Sequence, residues 1–225
     1  MDDRTFDDPI IAEEWMELVE SGSIRDSDIH PMLRAWIETH NPHQVLEIGA
    51  GQGLCSDNID LKNRHYTGID PSPYFIQRAQ ELYGDPSRTF LLGNAYALPF
   101  KKSTFDAVFS VMVFHLLENL EKATQELSRV LKANGSFLLV TANPDAFDQW
   151  KNLYPTPTVN GHRIEGSMKL GGRQYTKDIL YLHSLETLKS CFQAADLEIQ
   201  RTQTFRSTKK NNQQNFLILI TGKKN

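Results

Sequence analysis

The sequence predicts an α/β domain built on a doubly wound, mostly parallel sheet that is closed by an antiparallel C-terminal strand. Three observations predict it. Short apolar runs alternate with helix-patterned segments between residues 41 and 142, the order that βαβ units impose on a parallel sheet. The first run, Val45-Leu-Glu-Ile48, enters Gly49-Ala-Gly-Gln-Gly53, which is how a buried strand delivers bare backbone to a ligand. Near the C-terminus, strand-like runs at 197–205 and 215–221 are joined by Arg206-Ser-Thr-Lys-Lys-Asn-Asn-Gln. That polar link is short enough for an antiparallel hairpin.

Each element follows from its own pattern. Ile11, Trp15, Leu18 and Val19 recur at helical spacing within residues 10–20. A second helix over 29–39 has Asp28 as candidate cap and Pro31 in its first turn. Strands are expected at 44–48, 65–69, 89–92, 105–113 and 136–141, the last two apolar almost throughout, as buried parallel strands are. Helices are expected directly after the glycines, at 74–83 and at 120–131. Ser184 caps a further helix running to Ala194, with Glu186 and Thr187 in its first turn. Between them, two runs around Gly171-Gly172 read as a β-hairpin. The chain is therefore divided as one domain over 1–225, with an N-terminal helical lid (1–40), a core (41–142), an insertion (143–183) and a closing helix and hairpin (184–225).

Composition agrees with one enzyme-sized domain. At 225 residues and 40% hydrophobic content, the chain can bury a full core. No stretch approaches the roughly 18 apolar residues that span a bilayer. The acidic start Met1-Asp-Asp-Arg4 lacks a signal pattern, so a cytoplasmic location and no membrane partner are expected. Cys55 and Cys191 have neither metal nor redox spacing, and no metal is expected. The net charge of −4 argues mildly against a nucleic-acid partner.

The glycine spacing discriminates between ligands. A dinucleotide fingerprint, Gly-x-Gly-x-x-Gly, needs its third glycine at 54, where the chain has Leu54. Glu47-Ile-Gly49-Ala50-Gly51-Gln-Gly53 instead resembles the Glu/Asp-x-Gly-x-Gly-x-Gly motif of class I S-adenosylmethionine-dependent methyltransferases, which have a Rossmann-like fold. A turn that merely closes a strand-to-helix corner is the alternative. Asp70, 19 residues past Gly51 and followed by Pro71, stands where a carboxylate takes the ribose hydroxyls. Gly93-Asn94-Ala95-Tyr-Ala-Leu-Pro-Phe100 resembles the family's Gly-Asp-Ala-x-x-Leu-Pro-Phe segment, with Asn94 in place of the acid that faces the adenine amino group. An amide oxygen still accepts a hydrogen bond there, without charge. As a turn residue, Asn94 has a second reading.

The resemblance covers residues 40–142 in its motifs and implies S-adenosylmethionine as cofactor, with S-adenosylhomocysteine as product. It places Glu47 near the methionine end, Asp70 at the ribose, Asn94 and Ala95 at the adenine, and Val111 below the sulfonium. His115 is the candidate proton acceptor, with packing at a helix start as the competing reading. The Asn-Pro-Pro-Tyr of amino-methyltransferases acting on bases or glutamine is missing; residues 110–113 are Ser-Val-Met-Val. In-line displacement at a charged sulfur runs largely on alignment, so no triad or metal is required. A small-molecule acceptor is the favoured partner; a macromolecular acceptor or a non-catalytic cofactor-binding protein are alternatives. The sequence leaves the oligomeric state open. Phe6, Trp15 and Arg25 are candidate lid residues, Arg25 toward the cofactor carboxylate. Phe147, Trp150, Tyr154, His162, Tyr175 and Tyr181 are candidates for an aromatic wall over the acceptor.

Overall fold

The computed structural model describes residues 8–20, 25–170, 173–205 and 215–225. The expected Phe6 contact, the Gly171-Gly172 turn and the 206–214 link lie outside the described residues. A seven-stranded sheet runs in the order β3-β2-β1-β4-β5-β10-β9. Its parallel part is β1 (Gln44–Ile48), β2 (His65–Asp70), β3 (Arg88–Leu92), β4 (Phe105–Val111) and β5 (Leu131–Ala142). β10 (Leu217–Lys224) is antiparallel to both β5 and β9 (Leu197–Phe205), as the sequence predicts. Strand order reverses between β1 and β4, and this switch point opens the cleft described below.

Both sheet faces are covered, which is why the central strands are apolar on both sides. Val45, Leu46 and Ile48 are all at most 1% exposed. One face packs on α4 (Leu120–Val130) and α6 (Leu185–Ala194) through Ala123, Leu127, Leu188 and Phe192. The other packs on α2 (His30–His40) and α3 (Pro73–Tyr83) through Leu33, Ile37 and Ala79, and on α5 (Phe147–Lys151) through Trp150. Caps fix the helix starts. Ser72 accepts from Phe75 N before Pro73, Asn119 from Lys122 N, and Ser184 from Thr187 N, the last as expected.

Three elements differ from expectation. No helix follows the glycines; residues 54–64 make only a 3-10 turn at Ser56–Asn58. The polar side chains there bond the local backbone instead: Ser56 Oγ to Gly53 O (2.7 Å) and Asn58 Nδ2 to Leu54 O (3.2 Å). Asp28 does not cap α2, because Arg25–Ile29 form a π-helical turn that runs directly into it. β4 stops at Val111 rather than 113, since Met112 takes φ +61° and turns the chain out of the sheet.

The insertion forms a small sheet of its own. β6 (Thr158–Asn160), β7 (Arg163–Leu170) and β8 (Arg173–Tyr181) pair antiparallel in that order, which realises the expected hairpin. Ile164 and Leu180 tie it to the core, and α1 (Pro9–Glu20) lies against β7 and α3. Among the described residues, no helix is long and apolar enough to cross a membrane.

Candidate functional site

A cleft of about 920 Å³ lies at the carboxyl ends of β1, β2 and β4, under the hairpin. Its floor is the glycine turn. The N–H groups of Gly49 and Ala50 both donate to Ile69 O at 2.8 Å, which pins the turn onto β2. Gly49 (φ +75°) has no room for a side chain, because a Cβ there would collide with Val113. Gly51 (φ +54°) is different. A Cβ there would meet no atom within 4 Å, so its bare face looks into the cleft. Gly49, Ala50 and Gly51 all line the cavity, whereas Gly53 sits behind it against Tyr83 and Phe90.

Asp70 closes β2 and lines the cleft beside Pro71. Its Oδ2 accepts from Gly51 N (3.0 Å) and its Oδ1 from Ser72 N (2.9 Å). Burial raises its pKa to about 6, although both backbone bonds pull the other way. Asn94 and Ala95 line the far end. The Asn94 side-chain oxygen already accepts from Tyr96 N (2.9 Å), so the turn reading of Asn94 holds while a second lone pair remains.

Glu47 lies at the opposite end and is 1% exposed. Its carboxyl accepts a hydrogen bond from the Tyr66 hydroxyl and another from the Cys55 thiol. Burial raises its pKa to about 8, against the pull of those bonds and of the Arg25 charge. Arg25, on the π-helical turn, lines the same end of the cleft. Val111 lines the cleft at the end of β4 with Met112, whose left-handed backbone is held by its N–H on Val140 O at 2.7 Å. Such conformations concentrate at functional sites.

His115 stands apart from the other candidate residues. It is 6% exposed and absent from the cleft wall, with Nδ1 3.2 Å from Thr141 Oγ1 and its ring 5.6 Å from that of Trp150. Burial lowers its pKa to about 4. The expected aromatic wall also divides. Trp150 stacks on Phe216 at 3.9 Å, and Tyr154 is buried against Gly166 with its hydroxyl 2.5 Å from Asp178 Oδ2. These two fill the core, His162 is exposed, and the Tyr175 side chain lies outside the described residues. Tyr181 alone of that group lines the cleft, with Ile179 two residues earlier on the same strand face. The cleft also takes in Trp15, a candidate lid residue whose helical spacing favours packing, Met112, Leu116 and Leu117, from the stretch after β4 that the resemblance puts below the sulfonium, and Asp178, which the sequence does not single out. Period-two alternation around the buried Leu180 is the one signal that picks out Ile179 and Tyr181. Among the described residues, no group of three or more His, Cys, Asp or Glu is placed to hold a metal.

Residues 46–139 match the family model described as a methyltransferase domain. The chain is 29% identical over 125 residues to malonyl-[acyl-carrier protein] O-methyltransferase 1 of Coxiella burnetii, covering 55% of this chain and 40% of that protein. It is 32% identical over 103 residues to a fatty-acid O-methyltransferase of Mycolicibacterium smegmatis, covering 45% and 38%. The chain thus spans less than half the length of these two curated relatives. In fold, it superposes on a crystal structure of an S-adenosylmethionine-dependent methyltransferase from Methanosarcina mazei with TM-score 0.67 and 20% identity, over 80% of this chain and 92% of the other.

Proposed function

We propose that this chain, by its matched methyltransferase domain and its sheet order, is a class I S-adenosylmethionine-dependent methyltransferase that transfers the cofactor's methyl group to a small-molecule acceptor. The residues present fit the cofactor. Gly51 offers an open cradle of the kind that a Cβ would begin to fill, the Asp70 carboxylate is held rigid by two backbone bonds, and Glu47 and Arg25 put a carboxyl group and a guanidinium at one end. Asp70 takes the ribose hydroxyls, Asn94 and Ala95 border the adenine, and Glu47 and Arg25 face the zwitterionic amino-acid end.

When bound, adenosylmethionine supplies an electrophilic methyl on a positively charged sulfur. The protein's share of the chemistry is alignment and exclusion of water, the terms that dominate a displacement without a covalent enzyme intermediate. Val111 and Met112 line the cleft at the end of β4, and Leu116, Leu117, Ile179 and Tyr181 form a mostly apolar roof over the acceptor's side. His115 has a packing role on this reading, since it stands behind that wall.

The observation that carries the proposal is continuity. One cavity runs from Glu47 and Asp70 to Ile179 and Tyr181 on the hairpin, and its volume is near the top of the roughly 300–1,000 Å³ that small-molecule sites occupy. Cofactor and a small acceptor fit in it together. The two curated relatives are named for acyl-type carboxyl acceptors, which supports screening that class first. The test is methyl transfer from labelled cofactor to fatty acids, acyl thioesters and other metabolite pools, with RNA and protein pools alongside. Tyr181→Ala should cut turnover of the acceptor at least tenfold while S-adenosylhomocysteine affinity stays within a few fold. Transfer only to RNA or protein would overturn the acceptor class.

A further inference from the structure

We propose that Tyr66 is a positioning residue for the amino-acid end of the cofactor, its buried hydroxyl fixing the Glu47 carboxyl where that group receives the ligand's ammonium. The inference rests on the cofactor reading above and deepens it. Glu47 lies opposite Gly68 in the β1–β2 register, and Tyr66 lies opposite Val45. Residues 45 and 47, and 66 and 68, therefore share one face of the sheet. The tyrosine hydroxyl reaches Glu47 by passing over Gly68, where an added Cβ would stand 2.8 Å from that oxygen. Gly68 thus keeps a lane open along the sheet. Phe90 and Phe109 hold the ring in it, with centroids at 5.5 and 6.4 Å.

Glu47 lines the cleft; Tyr66 does not, and at 1% exposure it acts only through Glu47. The groups that face Glu47 are Tyr66 and Cys55, which donate hydrogen bonds to it, Arg25, whose charge favours its ionised form, and Asp70, whose charge opposes it. Burial outweighs the favourable ones, so with no ammonium beside it Glu47 is largely protonated at neutral pH. An arriving ammonium reverses that balance. The carboxyl O–H bond breaks, its proton leaves to solvent, and the carboxylate that remains is held by Tyr66 on one side and the ammonium on the other. Tyr66 favours the ionised form, so removing its hydroxyl makes this step harder.

The test uses calorimetry with S-adenosylhomocysteine and with 5′-methylthioadenosine, which keeps the adenosine and sulfur but lacks the amino-acid end. For the wild type, affinity for the first ligand should rise between pH 6 and 8, with a fraction of a proton released at pH 7, read from buffers of different ionisation heat. The second ligand should show neither effect above pH 7; below it, Asp70, raised to about 6, gives both ligands the same dependence through the ribose. Tyr66→Phe should weaken S-adenosylhomocysteine about tenfold at pH 7, one unit of displaced titration. The gap should narrow by pH 9, and methylthioadenosine should be unaffected. Glu47→Gln should abolish the proton release while leaving methylthioadenosine binding intact, and it serves as the second variant if Tyr66→Phe folds poorly. Equal losses for both ligands in Tyr66→Phe, no loss, or a gap constant with pH would each overturn the inference. Wild-type protein that bound neither ligand would overturn the cofactor reading, and this inference with it.

Discussion

Asp70 Oδ2 accepts the N–H of Gly51 at 3.0 Å, so the acid that ends β2 also fastens the turn that ends β1. One carboxylate therefore serves two purposes, shaping the cradle and offering lone pairs to the ribose. Replacing it by alanine removes charge-assisted hydrogen bonds worth roughly 1.5–3 kcal/mol each. Asp70→Ala should weaken S-adenosylhomocysteine at least tenfold by calorimetry. It should weaken methylthioadenosine equally, because both ligands carry the ribose.

The two neighbouring glycines should fail in different ways. Gly49→Ala drives a methyl into Val113 at a left-handed backbone position, so it should lower the melting temperature sharply, by several kcal/mol of stability. Adding Val113→Ala should recover part of that loss. Gly51→Ala meets nothing within 4 Å and pays only for its φ of +54°, about 1 kcal/mol. Its effect should appear chiefly as lost ligand affinity, since the new methyl stands in the cleft. Equal stability losses in the two variants would refute the division of roles.

Stability of the ligand-free protein should fall as pH rises from 6.5 to 8. Glu47, with its pKa raised to about 8, keeps its proton in the folded state while the unfolded chain has lost it. The folded state then binds more protons, and stability declines by about 1.4 kcal/mol per pH unit until the folded group titrates. Below 6.5 the trend flattens. His30 and His115, both lowered to about 4, resist protonation in the folded state and cost stability as pH falls. Asp70, raised to about 6, contributes in the opposite sense. Thermal melts of wild type and Glu47→Gln across this range decide the matter: the variant should lack the decline between 6.5 and 8.

His115→Ala should be a stability variant. The ring is packed between Thr141 and Trp150, and emptying that site should cost about 2–4 kcal/mol. Cofactor affinity should be unchanged, and turnover per folded molecule should stay within a few fold. A loss of turnover beyond a hundredfold in folded protein would return His115 to the proton-accepting role.

The core was legible because its residues obey local rules. Glu47, the glycines and Asp70 sit at the ends of apolar runs, and strand ends converge on the switch point by topology alone. Asn94 and Ala95 were reachable through a contiguous segment. What stayed hidden depends on tertiary direction. Helical spacing alone does not tell that Trp15, a candidate for both packing and the lid, borders the cleft. Trp150 and Tyr154 look like pocket aromatics, but Phe216 and Gly166 draw them into the core. The missing helix after the glycines was readable in retrospect, since Ser56, Asp57, Asn58 and Asp60 favour local side-chain bonds over a helical ladder.

That single 3-10 turn at Ser56–Asn58 has a consequence for how the protein responds to its ligand. A long helix starting at the glycines would bring aligned peptide dipoles to the ligand's anionic end from within the sheet layer. Three residues bring almost none. On the reading above, the compensating charge is Arg25, which reaches the cleft from outside the sheet, on the turn that leads into α2. Occupancy and seating of the segment before β1 then become linked equilibria, each strengthening the other by the same free energy. Amide hydrogen exchange should register that linkage as slower opening of residues 25–40 when S-adenosylhomocysteine is present. Arg25→Ala should bind more weakly and leave this segment exchanging at its ligand-free rate.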